Sequence, residues 1–436
     1  MFDLVVLGSG AAGSTVAKAC RTQGWSVALV EMRPLGGTCA LRGCNPKKVL
    51  VETAQALARV RSLPGLTGEV GLDWPALMAY KRTFTGPIPP QRQAQYDELG
   101  ITVYHGAARF TGATMLQVGE ETITGRHILI ATGSKPAPLG IPGEELVTTS
   151  DEFMELAELP KRILFIGGGY ISLEFAHVAR QAGCQVQVIH EGERPLEPFD
   201  PDLVDLLVQA STDLGIEIRC NTEVKRITKG AGGLIVHADE AEFNADLVVH
   251  GASRAPDIQD LDLEQAGVAN DKKGIQVNAY LQSSNPQVWA AGDCAATGLP
   301  QLTPLANHQA QVVAANLLGQ RRELRIEAIP SVVFTIPNLG SVGLTEQQAQ
   351  KQGIVYTTRY EDASTWSSTR AVAGGVATYK LLLTEDYILG AHALGPHASE
   401  VINVLALAIQ AKIKTADLKE FLFAYPTGAS DLAYLL

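Results

Sequence analysis

The stretch DLVVLGSGAAGSTVAKACRTQGWSVALVE, residues 3–31, decides the fold of this chain. An apolar run of strand length leads into a loop that contains Gly8, Gly10 and Gly13, and a helical pattern and a second apolar run follow. This context predicts a tight turn into a helix whose N-terminal amides and dipole can bind a pyrophosphate. The same pattern recurs in RILFIGGGYISLEFAHVARQAGCQVQVIHE, residues 162–191. We therefore predict an α/β protein with two dinucleotide-binding domains.

The residues that end each repeat indicate which nucleotide it binds. Glu31 lies 23 residues after Gly8, close to the position of the acid that binds a ribose diol. The equivalent position in the second repeat is His190, with Glu191 next to it and Arg194 nearby. A 2′-phosphate would meet only Arg194 and a protonated His190, so the sequence favours NADH over NADPH at the second site and leaves both open.

The run GGTCALRGC, residues 36–44, places Cys39 and Cys44 close to the first loop. Such a pair beside a dinucleotide site predicts a redox-active disulfide. The alternatives are half of a zinc site or two unpaired core thiols. Zinc needs about four ligands, and the sequence shows no second Cys or His pair at ligand spacing, so we predict no metal site.

Composition restricts the class of protein. The 436 residues suffice for about two to four domains. The net charge is −11 and the Lys and Arg residues form no blocks, so we expect no nucleic-acid partner. The first strand-like run begins at Phe2, so we expect no signal or transit peptide, and no apolar run reaches transmembrane length. We expect a cytoplasmic protein without membrane contact.

Breaks in the pattern give the domain boundaries. We predict a first nucleotide-binding domain at 1–150, a second at 151–270, a segment at 271–328 that completes the first, and a C-terminal domain at 329–436. Amphipathic helices are predicted over residues 50–100, with breaks at 64–65 and 86–87, and an Ala-rich helix over 305–318. The C-terminal domain should contain the strands SVVFTI, SVGLT, ATYKLLLT and ILGAHALG and two helices. The segment ASTWSSTR, residues 363–370, is interpreted as a surface loop between strands, with a place at the substrate entrance as the alternative.

Several motifs occur in an order that resembles one family over nearly the whole chain. They are GSGAAG, GGTCxxxGCxPxK, the ATG turn, GGGYIxxE, GDCA and LTPLA. The chain resembles the flavin-dependent pyridine nucleotide-disulfide oxidoreductases, which include glutathione reductase, dihydrolipoamide dehydrogenase and mercuric reductase. The resemblance implies two Rossmann-like domains, for FAD and for NADH or NADPH, and a C-terminal α+β dimerisation domain. It also implies a homodimer whose active site is shared between subunits.

The resemblance also implies roles for individual residues. Cys39 corresponds to the interchange thiol that attacks an external disulfide, and Cys44 corresponds to the thiol beside the flavin. Lys47 or Lys48 corresponds to a lysine that pairs with the glutamate matching Glu174, and Tyr170 corresponds to a lid over the nicotinamide pocket. The remaining implied cofactor-binding residues are Gly37, Thr38, Thr132, Gly133, Gly167, Gly169, Ile171, Arg254, Gly292 and Asp293.

The chain departs from the family pattern near its end. Tyr425 stands where most members have the acid-base histidine, and Ser430 stands where they have the glutamate that orients it. The ordinary pKa of tyrosine is near 10, so Tyr425 is a poor proton shuttle at pH 7, and we expect slow turnover of ordinary disulfides. A tyrosine at this position resembles the pattern of mercuric reductase. That enzyme also has a terminal vicinal cysteine pair, which this sequence lacks. In the second loop, Ser172 replaces the usual third glycine or alanine.

These observations leave three functional hypotheses. The first is an NAD(P)H oxidoreductase that passes electrons through FAD and the Cys39–Cys44 pair to a small acceptor, either a disulfide, a metal ion or a quinone. The second is an enzyme like dihydrolipoamide dehydrogenase or glutathione reductase that uses a different base. The third is a flavin-binding redox sensor with little turnover.

Overall fold

The computed structural model describes residues 1–239 and 241–436. Its strands are β1 Phe2–Leu7, β2 Val27–Glu31, β3 Thr102–His105, β4 Ala108–Phe110, β5 Met115–Val118, β6 Glu121–Ile130, β7 Ser134–Pro136, β8 Thr148–Thr149, β9 Arg162–Ile166, β10 Gln185–Ile189, β11 Ile216–Arg219, β12 Val224–Gly230, β13 Gly233–Ala238, β14 Ala241–Ala245, β15 Leu247–His250, β16 Arg254–Pro256, β17 Asn270–Asp271, β18 Gly274–Ile275, β19 Val288–Ala290, β20 Ser331–Val333, β21 Asn338–Gly343, β22 Thr357–Asp362, β23 Thr378–Leu383 and β24 Ile388–Gly395.

The helices are α1 Ala11–Thr22, α2 Gly37–Arg42, α3 Cys44–Ser62, α4 Trp74–Thr85, α5 Ile88–Leu99, α6 Ser150–Phe153, α7 Tyr170–Gln181, α8 Pro201–Asp213, α9 Thr303–Leu317, α10 Glu346–Lys351, α11 Ser367–Ala371, α12 Ala398–Gln410, α13 Thr415–Glu420 and α14 Leu432–Leu435. Single 3₁₀ turns occur at Glu144–Leu146, Gln259–Leu261, Leu263–Ala266 and Gly428–Asp431. The predicted breaks between α3, α4 and α5 and the predicted Ala-rich helix α9 are confirmed.

The first of two units comprises Met1–Lys48, Met78–Ala137 and Ser253–Arg325. Its central strands run parallel in the order β3-β2-β1-β6, with β19 beside β6. Leu4 and Val6 of β1 face a core that contains residues of α1 and α9, whereas Val5 and Leu7 face the core beneath β4 and β5. Because β1 is covered on both faces, it appears in the sequence as a continuous apolar run.

The second unit comprises Val49–Leu77, Pro138–Ala252 and Ile326–Leu436. The second repeat forms a parallel sheet in the order β11-β10-β9-β15-β8, and β12, β13 and β14 form an antiparallel meander. Its C-terminal part is an antiparallel sheet in the order β20-β21-β24-β23-β22, which buries residues of α12. The α/β class, the two Rossmann-like parallel sheets and the α+β C-terminal region are confirmed.

Two predictions for the C-terminal region are wrong. Five helices occur after residue 329 among the described residues, instead of two, because α10, α11, α13 and α14 are each less than two turns long and give little periodic signal. Residues 363–370 are not a surface loop. Ala363, Ser368 and Thr369 are buried, α11 begins at Ser367, and the Trp366 ring stacks on another aromatic ring of the C-terminal core. The packing of Trp366 against this ring thus fixes residues 363–370 on the C-terminal core, although their small polar side chains are typical of a turn.

Among the described residues, no helix combines the length and the apolar character that a membrane crossing requires.

A buried histidine links the stability of the second unit to pH. His177 of α7 is 2% exposed, and its Nδ1 lies 2.8 Å from the carbonyl oxygen of Leu173. Burial lowers the pKa of His177 from 6.5 to about 4. The unfolded chain therefore binds a proton between these pH values that the folded chain excludes, so stability falls as the pH falls from about 6.5 to about 4.

We expect this histidine to cost roughly 3 kcal/mol of stability over that range. The free energy of unfolding, measured with urea at several pH values, should fall less steeply in His177→Gln than in the unmodified protein. Identical slopes in the unmodified protein and in His177→Gln would contradict the assignment.

Candidate active site

The two glycine loops have the same backbone geometry. Gly8 has φ +102°, and a Cβ atom there would lie 2.4 Å from the carbonyl oxygen of Ala131. Gly167 has φ +99°, and a Cβ atom there would lie 2.3 Å from the Cα of Ala252. Only glycine fits either position, because both the positive φ and the close backbone approach exclude a side chain.

Each loop ends at a helix whose N-cap is a glycine, Gly10 for α1 and Gly169 for α7. Because glycine has no side chain that could cap the first turn, the amides of that turn point at the place where a phosphate would bind. A Cβ at Gly13 would lie 2.0 Å from the carbonyl oxygen of Gly8, and one at Gly37 would lie 2.4 Å from the Cα of Gly10. The start of the cysteine segment, at Gly37, therefore packs directly against the first glycine loop, at Gly10. The open amides of the first loop fit the phosphate of a dinucleotide.

Glu31 ends β2 and connects the first loop to the cysteine segment. Its Oε2 accepts hydrogen bonds from the backbone N–H and the hydroxyl of Ser9, at 2.9 and 2.7 Å, and its Oε1 accepts one from the N–H of Arg33. The Ser9 hydroxyl in turn accepts a hydrogen bond from the N–H of Gly36. These contacts fix a carboxylate at the end of β2, where the predicted ribose diol would bind.

The cysteine pair lies at the junction of two helices. Cys39 is half-buried in α2, next to the half-buried Thr38, and Cys44 is exposed at the first position of α3. The Sγ of Cys44 lies 3.5 Å from the Oγ1 of Thr303, at the start of α9. A thiol at a helix N-terminus is stabilised as the thiolate by the helix dipole.

The two thiols have opposite acidities. A hydrogen bond from Cys39, a second from Thr303 and the charge of Lys47 together lower the pKa of Cys44 to about 6. The hydrogen bond to Cys44 and burial raise the pKa of Cys39 above its ordinary value. In the reduced protein, Cys44 is therefore the thiolate at pH 7 and Cys39 is the thiol that donates to it. Of the two lysines considered in the sequence, Lys47 is the one whose charge acts on this thiolate.

This arrangement predicts different effects for the two lysines. Lys47→Gln should raise the pKa of Cys44 by up to about one pH unit, because an opposite charge is lost. Lys48→Gln is the matched control and should leave it unchanged. The measurement is the pH dependence of the rate at which iodoacetamide alkylates Cys44 in the reduced protein, followed by mass spectrometry. Equal shifts in the two variants would contradict the role of Lys47.

The two side chains of the second site that could carry a positive charge, His190 and Arg194, both contact other groups of the protein. His190 Nδ1 accepts a hydrogen bond from the N–H of Gly168 at 3.2 Å, and its Nε2 donates to the carbonyl oxygen of Arg194 at 3.1 Å. Both ring nitrogens of His190 therefore contact backbone groups. The guanidinium of Arg194 donates two hydrogen bonds to Asp205, at 2.7 and 3.0 Å. Glu191 is exposed beside His190.

The first turn of α7 carries the other predicted residues of this site. Tyr170 is 44% exposed, Ile171 is half-buried, and Ser172 is buried with its hydroxyl bonded to the carbonyl oxygen of Ile166. Glu174 is 2% exposed, and its Oε1 accepts a hydrogen bond from the N–H of Phe334 at 2.9 Å. The pairing of Glu174 with Lys47 or Lys48 stays a prediction.

The ATG turn and the GDCA motif meet in the first unit. Thr132 and Gly133 form the turn between β6 and β7, and Gly292 and Asp293 follow β19, which pairs with β6. The Gly292 N–H donates to the side chain of Gln309 at 2.7 Å. Asp293 accepts a hydrogen bond from Ser134 at 2.9 Å, and Ser134 also contacts Arg254. A carboxylate is thus fixed near a cavity of 380 Å³ whose lining includes Arg254, Gly292 and Asp293.

The C-terminal motif is organised as a capped turn. Tyr425 is 71% exposed. Ser430, at the position of the orienting acid, caps the turn instead, since its hydroxyl accepts from the N–H of Thr427 and its own N–H donates to the Thr427 hydroxyl. Asp431 is buried, burial raises its pKa, and it accepts a hydrogen bond from Ser368 at 2.5 Å. Neither residue acts on the Tyr425 side chain.

Three residues of this site were missed in the sequence. Ser9, Ser134 and Thr303 each lie inside or next to a recognised motif, GSGAAG, ATGSKP and LTPLA, but a small hydroxyl residue in a turn gives no separate signal. Only the contacts with Glu31, Asp293 and Cys44 show what they do.

Family models match both parts of the chain. Residues 2–310 match the model for pyridine nucleotide-disulphide oxidoreductases, and residues 329–434 match the dimerisation domain of the same family. The chain belongs to the pyridine nucleotide-disulphide oxidoreductase family. The members of this family use FAD and NAD(P)H, and the two glycine loops, each open to a phosphate, fit these cofactors.

Relatives with several activities are about equally similar to this oxidoreductase. It is 32% identical to a mercuric reductase of Staphylococcus aureus, over 99% of this chain and 81% of that protein. It is 32% identical to a glutathione reductase of Burkholderia cepacia, over 100% of this chain and 98% of that protein. A dihydrolipoyl dehydrogenase of Chlamydia muridarum is 31% identical, over 98% of this chain and 94% of that protein.

A solved structure matches the whole fold. The HOCl-induced flavoprotein disulfide reductase RclA from Escherichia coli superposes with a TM-score of 0.91 at 27% identity, and the match covers 99% of each chain. A Cu(II) complex of RclA matches with the same TM-score at 28% identity, again over 99% of each chain. The chain is thus a flavin-dependent oxidoreductase of this family, and similarity alone does not choose its acceptor.

Proposed function

We propose that this protein oxidises NADH and passes the electrons, through FAD and the Cys39–Cys44 pair, to a thiophilic metal ion, with Cu(II) as the first candidate. The main support for this proposal is the Cys39–Cys44 pair, in which the thiolate of Cys44 is stabilised and Cys39 is protonated. The reaction balances as one NADH and two Cu(II) giving NAD⁺, one proton and two Cu(I).

The two cysteines have different tasks in this proposal. FAD, when bound, accepts hydride from the nicotinamide and delivers two electrons to the disulfide. Cys44 lies next to Thr303, its thiolate is stabilised by the charge of Lys47, and it would be the thiol beside the flavin. Cys39 is the thiol that meets the acceptor. Binding a soft metal ion requires deprotonation of Cys39. The proton that is lost is the thiol proton that Cys39 donates to Cys44 in their hydrogen bond.

The choice of NADH rests on the second site. A 2′-phosphate would need a cation beside the ribose, but both ring nitrogens of His190 contact backbone groups and the guanidinium of Arg194 is neutralised by Asp205. The exposed carboxylate of Glu191 next to His190 would repel such a phosphate. The geometry therefore supports a nucleotide with a free 2′-hydroxyl.

The choice of a metal ion rests on the C-terminal motif. Reduction of an ordinary disulfide needs a group that protonates the leaving thiolate, whereas reduction of a metal ion does not. Tyr425 has the wrong ordinary pKa for this task, and Ser430 and Asp431 are bonded to Thr427 and Ser368. The match to a Cu(II) complex of RclA supports copper as the ion to test.

The remaining parts of the proposal concern assembly and location. The dimerisation domain and a group of exposed apolar side chains near the end of the chain support a homodimer with a shared active site. These side chains are Leu407, Phe421, Leu422, Tyr425 and Tyr434. A reducing compartment such as the cytoplasm suits a reactive cysteine pair.

The test of the function is the stoichiometry of NADH consumption. The FAD-loaded protein is mixed anaerobically with NADH, Cu(II) and a chelator that reports Cu(I). We expect two Cu(I) for each NADH oxidised, and faster reduction with NADH than with NADPH. Steady reduction of glutathione disulfide or lipoamide, with no Cu(I) formed, would favour the disulfide reductase alternative and overturn the choice of metal.

Restoring the missing base should change the preference for acceptors. Tyr425→His introduces a group with an ordinary pKa near 6.5, which can protonate a leaving thiolate. We expect disulfide turnover to rise by about a hundredfold, the typical contribution of a positioned acid-base group. Cu(II) reduction should change little, and Tyr425→Phe is the matched control. Unchanged disulfide turnover in Tyr425→His would show that the missing base is not what excludes disulfides.

A further inference from the structure

The first unit contains a continuous chain of polar contacts that joins Arg254 to Asp293 of the GDCA motif through Ser134. The guanidinium of Arg254 donates from Nε to the hydroxyl of Ser134 at 3.0 Å and from a terminal nitrogen to the carbonyl oxygen of Ser134 at 2.7 Å. The Ser134 hydroxyl donates to Oδ2 of Asp293 at 2.9 Å. A positive charge is thereby connected to a carboxylate through one serine.

The backbone fixes this serine on both sides. Ser134 begins β7, which pairs antiparallel with β16, so that Pro136 lies opposite Arg254. The N–H of Asp257 donates to the carbonyl oxygen of Gly133 and the N–H of Ala137 to that of Ser253. Ser134 is 7% exposed. The backbone pairing and the burial of Ser134 therefore keep its hydroxyl close to the two groups that it bridges.

We propose that Ser134 is a positioning residue, which transmits the charge of Arg254 to Asp293 and holds this carboxylate charged and oriented for a hydroxyl group of the flavin cofactor. The inference rests on the proposed role of Asp293 in FAD binding. Oδ2 is occupied by Ser134, and among the residues that the structure describes no hydrogen bond to Oδ1 is formed. This oxygen is therefore the one available to a cofactor hydroxyl.

The electrostatics of the carboxylate support this role. Burial raises the pKa of Asp293 above its ordinary value, and the Ser134 hydrogen bond and the charge of Arg254 limit this rise. Lys272 and Lys273 line the same cavity. The neighbouring Cys294 is buried and its pKa is raised, so it stays neutral between about pH 5 and 8. Without the hydroxyl of Ser134, Asp293 should take up a proton at a higher pH.

The experiment measures release of FAD from the holoenzyme, through the fluorescence of free flavin, between pH 5 and pH 8. In Ser134→Ala, we expect the dissociation constant of FAD at pH 7 to rise about tenfold to a hundredfold, because a hydrogen bond to a charged group is lost. The pH below which FAD is released should also move upward. Ser134→Thr keeps the hydroxyl and should behave like the unmodified protein.

Two further variants separate positioning from a merely structural role. In Asp293→Asn, binding should be weak and independent of pH, and adding Ser134→Ala should cause little further loss. Arg254→Gln should shift the pH dependence of FAD binding in the same direction as Ser134→Ala. It therefore tests the inference even if the Ser134→Ala variant does not fold. Additive losses, or the same pH dependence in Ser134→Ala as in the unmodified protein, would overturn the inference. If the unmodified protein does not retain FAD at all, the proposed function itself fails.

Discussion

Cys44→Ser is expected to abolish electron transfer to the acceptor while leaving the flavin in place. The serine hydroxyl cannot form a disulfide with Cys39, and its ordinary pKa is far above that of the Cys44 thiolate, which lies at about 6. NADH-dependent Cu(II) reduction should fall on the order of a hundredfold or more, as it does when a covalent catalytic group is removed. Any long-wavelength absorption band of the reduced protein should disappear.

Cys220→Ser provides a matched control for this change. Cys220 is half-buried and burial raises its pKa, so it is a neutral thiol and not a reactive one. The control variant should keep the rate and the absorption band of the unmodified protein. Cu(II) reduction in Cys44→Ser within about twofold of the unmodified rate would mean that electrons leave the flavin without passing through the cysteine pair.

Lys380→Met is expected to destabilise the second unit by about 3–5 kcal/mol. Lys380 of β23 is 2% exposed, and its ammonium group lies 2.9 Å from Asp200, 2.6 Å from Asp202 and 2.7 Å from Glu346. Burial lowers the pKa of Lys380, but the hydrogen bonds that its ammonium group donates to Asp202, Glu346 and Asp200 outweigh this effect and raise the pKa above its ordinary value. Methionine fills a similar volume but leaves Asp200, which is fully buried, without its counter-charge.

The free energy of unfolding, measured with urea, tests this ion-pair cluster. Lys351→Met, at an exposed lysine of α10, is the matched control and should cost less than about 1 kcal/mol. Adding Asp200→Asn to Lys380→Met should recover part of the loss, because the uncompensated charge is removed. A cost below about 1 kcal/mol for Lys380→Met would contradict a dominant role of the cluster.

The sequence was most informative where chemistry and local structure coincide. Gly8 and Gly167 each serve a turn that only glycine can form, so the loops, their flanking strands and their helices were all predictable. The same holds for the cysteine pair, which lies within six residues of chain. Glu31 could be placed because the distance from a glycine loop to the end of the next strand is nearly constant.

The sequence was least informative where the contacts are distant in the chain. Ser134 meets Asp293 across 159 residues, and Lys380 meets Asp202 across 178. A lone serine or lysine shows no pattern that reveals such a partner. The segment at 363–370 was misinterpreted for a related reason, since the ring that covers Trp366 comes from Tyr379 on another element.

The most direct test of the account is an anaerobic reduction of the FAD-loaded protein with NADH, and separately with NADPH, while the visible spectrum is recorded. We expect one equivalent of NADH to produce a long-wavelength charge-transfer band from the Cys44 thiolate, and NADPH to produce it more slowly. Adding Cu(II) should then discharge the band. The absence of the band with both nucleotides would show that Cys39 and Cys44 do not exchange electrons with the flavin, which would contradict the central claim.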